Sequence, residues 1–258
     1  MPYVVVLILM ALSTIGWSLP SHAESEFKGF YGQVATGFED NRFSSIKPSW
    51  QNITNLPTYW GGTKQQPDQH SSSNPLVLGG GYFHEVTSDW LIGFGVDYHP
   101  LAQNSGWFDH QTTNPSNAQF SLGNMSYQVS NRVNLSIMPA YALTPDKLLY
   151  LKLGYSTQTL KARQQPDLTN LATGYERSAR QNGMLIGAGY KQTVAHGFYG
   201  FVEANSVFYA KATIRGNALA QGGSDNIAFS SRPSVSAMNV LFGVGYTFDA
   251  FGHSPTPQ

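Results

Sequence analysis

The architecture is indicated most clearly by the run Val240-Leu241-Phe242-Gly243-Val244-Gly245-Tyr246-Thr247-Phe248. Large apolar or aromatic side chains occupy every even position, and small or polar side chains occupy most odd positions. This two-residue repeat is typical of a transmembrane β-strand with one face toward lipid and the other toward a crowded interior. Such a sheet must close on itself, because an open edge in hydrocarbon would leave backbone N–H and C=O groups without hydrogen bonds.

Composition limits the classes of protein that fit. The chain has 258 residues, of which 12% are charged and 13% are aromatic, and this charged share is about half that of a typical soluble protein. Lys plus Arg and Asp plus Glu both number 15, so no nucleic-acid partner is indicated. The lack of cysteine excludes disulfide scaffolds, thiolate metal sites and cysteine nucleophiles. We expect one domain with no cofactor and no metal.

Residues 1–23 are predicted to be a cleaved signal peptide. Residues 4–12 form an apolar core that is too short for a comfortable helical membrane span. The segment Leu19-Pro20-Ser21-His22-Ala23 places small residues three and one positions before a cleavage after Ala23. The alternative is an uncleaved membrane anchor, since Met1-Pro2-Tyr3 lacks the usual Lys or Arg.

Eight segments of the sequence alternate between apolar and polar residues, and their lengths are near the 9–11 residues that a tilted membrane strand needs. Residues 90–98, for example, put Trp90 and Phe94 on the predicted outward face and Asp97 on the inward face. The facing of the second segment, residues 76–86, is ambiguous because it is rich in glycine. The predicted strands are residues 30–38, 76–86, 90–98, 127–141, 148–159, 183–193, 198–210 and 240–248.

Residues 127–141 show the clearest alternation. One predicted face is apolar and points to lipid, and the other is polar and points inward. The outward set is Val129, Val133, Leu135 and Ile137, and the inward set is Gln128, Ser130, Arg132, Asn134 and Ser136.

The connections between the strands fall into two alternating sets. Residues 86–89, 143–147 and 195–197 are short and carry turn residues, whereas residues 39–75, 99–125, 161–181 and 212–235 are long and polar. Bacterial barrels have short periplasmic turns and long extracellular loops. We therefore expect an eight-stranded antiparallel up-and-down barrel over residues 24–248, with four extracellular loops and a short periplasmic tail over residues 249–258.

A soluble lipocalin-like barrel or sandwich is the alternative, because these folds also use short alternating strands. Their apolar face would point inward. Here the opposite face carries charged residues and many glycines, namely Asp97, Arg132, Lys152 and Glu203, which would make a poor dry core. The pattern favours the membrane barrel.

The chain resembles the small outer-membrane β-barrel family that includes the membrane domain of outer-membrane protein A and the opacity-type proteins. The residues that carry the resemblance are the opening Phe30-Tyr31-Gly32, the Gly-x-Gly-aromatic strand ends and the closing alternation of residues 242–248. It covers nearly the whole predicted mature chain and bears on architecture more than on activity. In that family the terminal aromatic strand is read by the barrel assembly machinery, a role that falls here on Tyr246 and Phe248. It also implies a Gram-negative outer membrane, with its lipid and lipopolysaccharide as surroundings.

An eight-stranded barrel is just wide enough to be filled by its own side chains. Inward charges must then be paired, because an unpaired buried charge is costly. We predict that Asp97 and Glu203 pair with Arg132 and Lys152, and that the network is extended by Gln33, Asn134 and Asn205. A structural plug is favoured over a narrow ion or small-solute channel.

The sequence does not predict an enzyme. Some eight-stranded barrels modify lipid A with a Ser and a His on the outer wall, and the candidates here are His70 with Ser71, Ser72 or Ser73, and His84 with Glu85. His99, Asp109 and His110 cluster loosely near the second long connection. No complete set of nucleophile, base and orienting group is evident from the spacing.

The four long connections are the predicted functional surface. They contain aromatic residues among Asn, Gln, Ser and Gly, a mixture that suits adhesion or ligand capture. The binding candidates are Trp50, Tyr59, Trp60, Trp107 and Phe108, with Phe120, Tyr175 and Phe229 as further aromatics. We therefore expect a monomer with a structural and adhesin-like role toward an unidentified host or surface ligand; the rivals are a narrow channel and a lipid A-modifying enzyme.

Overall fold

The computed structural model describes residues 25–52, 61–113, 119–165, 175–219 and 226–248. The predicted signal peptide and the predicted tail lie outside these residues. The strands are β1 Gly29–Ser44, β2 Ser49–Asn52, β3 Gly61–Thr63, β4 Gln69–Ser73, β5 Val77–Glu85, β6 Trp90–His99, β7 Gln103–Asn104, β8 Phe108–Thr113, β9 Gln119–Thr144, β10 Lys147–Gln164, β11 Tyr175–Ala195, β12 Phe198–Tyr209, β13 Ile214–Leu219, β14 Asn226–Ser231 and β15 Ser234–Thr247.

Eight antiparallel strands form a closed ring in the order β1-β5-β6-β9-β10-β11-β12-β15. The ring is completed by β15 pairing with β1, where Gln33 lies opposite Gly245 and Phe38 lies opposite Val240. The backbone N–H of Phe248 donates to the carbonyl of Phe30 at 2.7 Å at the end of this pair. The eight-stranded antiparallel up-and-down barrel predicted from the sequence is confirmed.

The outer surface of the ring is an apolar belt, as the alternation predicted. The outward side chains are exposed even though they are large; Leu135 is 54% exposed and Phe242 is 60% exposed. Within the ambiguous second segment, Leu78 points outward, and Val77 and Phe83 are buried inside. We define the apolar belt as Phe30, Val34, Phe38, Leu78, Trp90, Phe94, Val96, Tyr98, Leu135, Ile137, Tyr141, Leu151, Leu153, Tyr155, Met184, Ile186, Phe198, Val202, Phe208, Met238, Phe242 and Val244. An exposed apolar surface of this extent is what a lipid environment requires.

One predicted face is wrong at its upper end. Val129 was assigned to the outward face of its strand, but it is buried inside, only 2% exposed. The alternation of β9 changes phase at Asn131, which has a positive φ of 51°. There β9 carries an extra residue, because the pairing with β10 shifts between Thr157 and Thr159. A β-bulge of this kind reverses the facing of all residues beyond it, so Gln128 and Ser130 also leave the predicted inward face.

The strands continue well beyond the predicted boundaries. β1 reaches Ser44, β9 begins at Gln119, β10 reaches Gln164 and β11 begins at Tyr175, all inside ranges that the sequence analysis assigned to loops. These extensions are polar, because outside hydrocarbon a strand needs no lipid-facing apolar row. A separate four-stranded sheet in the order β13-β14-β2-β3 lies at the same end.

We refer to that end as the crown, defined as β2, β3, β8, β13, β14 and the extensions of β9, β10 and β11. The opposite end, with the connections at residues 86–89, 145–146 and 196–197, is the turn end. None of the residues that the structure describes belongs to an α-helix long and apolar enough to cross a bilayer.

Candidate functional site

The middle of the barrel is occupied by an ion cluster around Lys152. Lys152 Nζ lies 2.6 Å from Asp97 Oδ2 and 2.8 Å from Glu203 Oε1, and all three side chains are buried. The second oxygen of Glu203 accepts a hydrogen bond of 2.8 Å from the Tyr150 hydroxyl. Asn205 Nδ2 also donates to Glu203, at 2.6 Å. The ammonium group therefore joins two carboxylates across the lumen, from β6 on one side and β12 on the other.

A second ion cluster lies one layer closer to the crown. Arg132 does not pair with Asp97 or Glu203 as predicted; its Nη1 donates to Glu39 Oε2 at 2.7 Å. Its Nη2 donates to Asn41 Oδ1 at 2.7 Å and to Gln158 Oε1 at 3.2 Å. The prediction missed Glu39 because the apolar alternation of the first strand ends at Phe38, although β1 itself continues to Ser44.

Amide side chains connect the two clusters. Asn205 Nδ2 donates to Asn239 Oδ1 at 3.0 Å, and Asn239 Nδ2 donates to Glu39 Oε2 at 3.1 Å. Gln103 Nε2 donates to the other oxygen of Glu39 at 2.8 Å. Asn134 lies beside this path and shares a hydrogen bond of 3.2 Å with His99 Nε2. Hydrogen bonds therefore run continuously from Lys152 to Arg132.

Lys191 forms a third inward centre, nearer the turn end. Its Nζ lies 3.9 Å from the ring centroid of Tyr31 and 4.5 Å from that of Tyr199. It also donates to Gln33 Oε1 at 3.1 Å. Aromatic faces stabilise a cation when water is excluded. Gln33, which was predicted to extend the network around Asp97, contacts Lys191 here. The alternation of residues 183–193 puts Lys191 on the inward face, but the predicted charge network did not include it.

Apolar layers close the barrel on both sides of these polar groups. The layer at the turn end contains Phe27, Phe83, Leu91, Leu148, Tyr199 and Phe201. The layer at the crown contains Phe43, Ile46, Tyr127, Leu160, Tyr209 and Val235. Inward glycines make room for the rings: a Cβ at Gly245 would collide with the ring of Tyr199, and one at Gly189 would collide with Tyr150.

The outer wall carries a separate polar group where β1 and β4 pair beyond the apolar belt. His70 Nδ1 is 3.1 Å from Asp40 Oδ2, and the Ser72 hydroxyl donates to Asp40 Oδ1 at 2.9 Å. Beside them, Arg42 donates to Asp68 at 2.6 Å. The acidic partner of His70 that spacing could not identify is thus Asp40, which β4 places next to it.

The other histidine candidates do not meet in one place. His84 and Glu85 are neighbours on β5 and point to opposite faces. His99 is buried inside the ring, 3.7 Å from Glu39. His110 is buried in the crown on β8, where burial lowers its pKa to about 4 while Gln164 and Asp109 act in the opposite direction.

Most of the aromatic binding candidates that the structure describes pack within the crown. Trp50 lies opposite Phe229 in the small sheet, and both are buried. Tyr175 stacks on Phe229 with 5.2 Å between ring centroids, and Phe108 stacks on Tyr127 at 5.9 Å. Trp107 is different, since it is 51% exposed. Tyr59, Trp60 and the side chain of Phe120 lie outside the described residues.

The two residues of the predicted assembly signal lie on the closing strand at the turn end. Tyr246 contacts Phe198 with 4.7 Å between centroids and Phe248 with 5.2 Å. Phe248 is 49% exposed and continues the apolar belt.

No protein-family model matches the chain, and no curated protein matches it. Solved structures with a similar arrangement include the attachment invasion locus protein Ail of Yersinia pestis, in complex with the heparin analogue sucrose octasulfate (14% identity, TM-score 0.39, covering 86% of this chain and 99% of that one). Others are the outer membrane protease OmpT of Escherichia coli (10%, 0.45, 86% and 97%) and the outer membrane protein OprG of Pseudomonas aeruginosa (15%, 0.39, 89% and 99%).

At these identities the fold assignment rests on the strand pairing of the chain itself. Its ring, its apolar belt and its filled polar interior define the class: an eight-stranded antiparallel transmembrane β-barrel.

Proposed function

We propose that the chain is a monomeric integral protein of a Gram-negative outer membrane, with a closed lumen and a structural and surface-interaction role carried by its crown. The crown would face the outside and the turn end the periplasm, as in other barrels with short turns and long loops. Its surroundings would be outer-membrane lipid and lipopolysaccharide, and its insertion would depend on the barrel assembly machinery.

One observation carries the closed lumen: Lys152 is held between Asp97 and Glu203 at 2.6 and 2.8 Å, with all three side chains buried. A conducting path would have to separate these charges, which is costly in a low-dielectric interior. The apolar layers above and below add further barriers. This arrangement favours a structural plug over the narrow channel.

Planar-bilayer recording tests the closed lumen. The folded full chain should add no conductance steps above the bilayer baseline. Steps in the wild type that vanish in Lys152→Met or Arg132→Met would establish the channel instead. A heat-modifiable electrophoretic shift, measured in parallel, shows that each variant is folded.

The apolar belt should tolerate no charge at mid-depth. Leu135→Arg should cost about 2–4 kcal/mol of folding free energy in lipid vesicles, because the guanidinium would enter hydrocarbon. Asn104→Arg is the matched control at an exposed position of β7, and it should stay within about 0.5 kcal/mol of the wild type. Equal costs for the two variants in a reversible urea titration would contradict a lipid-facing belt.

The surface role is supported by the exposed indole of Trp107, which directly precedes β8 of the crown. Aromatic side chains supply large contact area at low entropic cost. Folded protein in detergent should bind components of extracellular-matrix or glycan arrays, and Trp107→Ala should weaken that binding. Phe94→Ala is the control, because this exposed aromatic belongs to the belt. If the chain binds no array component, or if Trp107→Ala does not change the binding, a purely structural role would remain.

A second candidate function is hydrolysis of an acyl ester in lipid A, favoured by the contact of Asp40 with both His70 and Ser72. A hydroxyl nucleophile, an imidazole base and a carboxylate that could orient the base are all present on the outer wall. Their order is Ser–Asp–His, however, so the Ser72 hydroxyl would have to leave Asp40 and reach His70 before it could be activated.

Mass spectra of lipid A from cells with and without the protein test this candidate. Loss of one acyl chain that requires both Ser72 and His70 would establish the hydrolase. Identical spectra for the wild type, Ser72→Ala and cells lacking the protein would reject it and leave the surface role.

A further inference from the structure

We propose that the outward face of β10 and β11, just beyond the apolar belt, binds the phosphate groups of lipid A in the outer leaflet through Lys161, Arg163 and Arg180. This inference rests on the proposed function, because it needs the barrel to stand in an outer membrane with the crown outside.

The strand pairing brings the three cations together. In the register of β10 with β11, Thr159 lies opposite Arg180, and Arg163 lies opposite Glu176. Lys161 is between these pairs, opposite Ser178. On β10 the odd positions point outward, from Leu151 through Arg163. The cations therefore stand on the same side of the wall as the apolar belt.

Arg180 is the cation of this group that lies nearest to the edge of the apolar belt. The last belt residue of β11 is Met184, which is 76% exposed. Arg180 lies four residues beyond it, or about 13 Å along the strand at roughly 3.3 Å per residue. With the usual strand tilt of about 40°, the vertical distance is about 10 Å. A long guanidinium side chain starting there can reach the polar groups that cover the acyl chains.

This face carries an excess of positive charge. Glu176 accepts Lys161 at 2.7 Å and Arg163 at 2.8 Å. The hydrogen bond from Lys161 lowers the pKa of Glu176, so the carboxylate is ionised at neutral pH. Arg180 is exposed, and its Nε donates to Thr157 Oγ1 at 3.1 Å. Three cations thus face one carboxylate, which leaves two positive charges for an external anion.

The wall formed by β1 and β4 has the opposite balance of charge. On the wall formed by β1 and β4, Arg42 pairs with Asp68, and His70 contacts Asp40. That group has two carboxylates for one permanent cation. The chain as a whole is neutral, so the cationic face of β10 and β11 is a local arrangement and does not reflect a basic protein.

Phosphate is the anion that fits these groups. Arginine and lysine form short, charge-assisted hydrogen bonds with phosphate oxygens, and the guanidinium can hold two oxygens at once. Lipid A presents phosphates directly above its acyl chains, where the belt would hold those chains. One molecule could therefore contact Met184 and Tyr155 with its acyl chains and Arg180 with its headgroup.

Native mass spectrometry of the folded full chain in detergent tests the proposal. The probes are bisphosphorylated lipid A and the same lipid after enzymatic dephosphorylation. We expect the wild type to retain the phosphorylated form roughly tenfold better. The double variant Lys161→Gln/Arg180→Gln should retain both forms equally. Arg177→Gln is the matched control, because Arg177 is an exposed cation of β11 on the other face, and it should behave as the wild type.

Equal retention of the two lipids by the wild type would overturn the proposal. Displacement of the lipid by an equimolar amount of inorganic phosphate would also overturn it, since the site would then serve a free anion. Insertion into liposomes and the heat-modifiable shift are measured on the same samples. If the chain inserts into liposomes but retains both lipids equally, only this inference is contradicted. If the chain does not insert, the proposed function itself is contradicted.

Discussion

Lys152 lies between two carboxylates that come from strands on either side of its own. All three charged side chains are buried, so the ammonium group and the two carboxylates depend on one another. Tyr150 and Asn205 bind the remaining acceptor positions of Glu203, so the cluster is satisfied only as a unit. Removal of one charged side chain of this cluster should therefore lower the free energy of unfolding.

Lys152→Met should destabilise the folded barrel by about 3–5 kcal/mol, because it leaves two buried carboxylates without a cation. Urea titration in lipid vesicles measures the change. Lys161→Met is the control; it removes an exposed ion pair and should cost less than about 1 kcal/mol. A triple variant with Asp97→Asn and Glu203→Gln should recover much of the loss. Similar costs for Lys152→Met and Lys161→Met would contradict the buried cluster.

His110 makes the crown sensitive to acid. Burial lowers its pKa to about 4 from an ordinary 6.5, so the unfolded chain binds a proton between these values that the folded crown does not. Stability must then fall as the pH drops from 6.5 toward 4, by up to about 3 kcal/mol at the lower end. The protection factors of the amides of residues 108–113, which are corrected for the intrinsic exchange rate at each pH, should fall over this window. In His110→Gln this fall in protection should be smaller, and a pH profile identical to that of the wild type would contradict the assignment.

At the scale of elements, the bulge at Asn131 controls which side chains line the lumen. Asn131 and Arg132 together lie opposite Gln158, and this extra residue turns Val129 inward while keeping Arg132 inward as well. One strand can therefore serve two interior layers, a polar one below the bulge and an apolar one above it. The positive φ of Asn131 is the local condition for this change of phase.

Asn131→Val should cost about 1–3 kcal/mol, because a β-branched residue is strained at a positive φ. Asn131→Gly is the matched control, since glycine adopts this conformation without strain. Unfolding titrations of both variants give the comparison. If valine were tolerated as well as glycine, the bulge would have to lie elsewhere.

The same element shows what the sequence could and could not reveal. Lipid-facing alternation predicted all eight ring strands, because hydrocarbon enforces an apolar residue at every second position. Beyond the belt that requirement ends, so the polar extensions of β1 and β9 looked like loops, and Glu39 was missed as the partner of Arg132. The place of Asp40 beside His70 depends on the pairing of β4 with β1, which no local pattern encodes.

At the scale of the whole molecule, the ring has one pair that is not local in sequence. β1 and β15 meet over fourteen residue pairs, from Tyr31 with Thr247 to Ser44 with Ser234. Every other pair in the ring joins two ring strands that follow one another in the sequence. Closure therefore depends on the last strand finding the first.

Deleting Phe248 should lower the yield of assembled barrel in the outer membrane, because it removes the hydrogen bond to Phe30 and the last aromatic ring of the closing strand. The yield is measured as the heat-modifiable fraction in purified membranes. Phe208→Ala, which changes an outward aromatic of β12 at the other end of the wall, is the control and should assemble normally. An unchanged yield without Phe248 would argue against an assembly role for this residue.

The β1–β15 pair also means that the ring has no intrinsic beginning. Phe30 and Phe248 are bonded neighbours at the turn end, so a short linker could join them while new termini were opened in one of the long connections. Such a circular permutant would keep every ladder of the barrel and change only the order in which the strands are synthesised. Architecture and order of synthesis are thus separable in this protein.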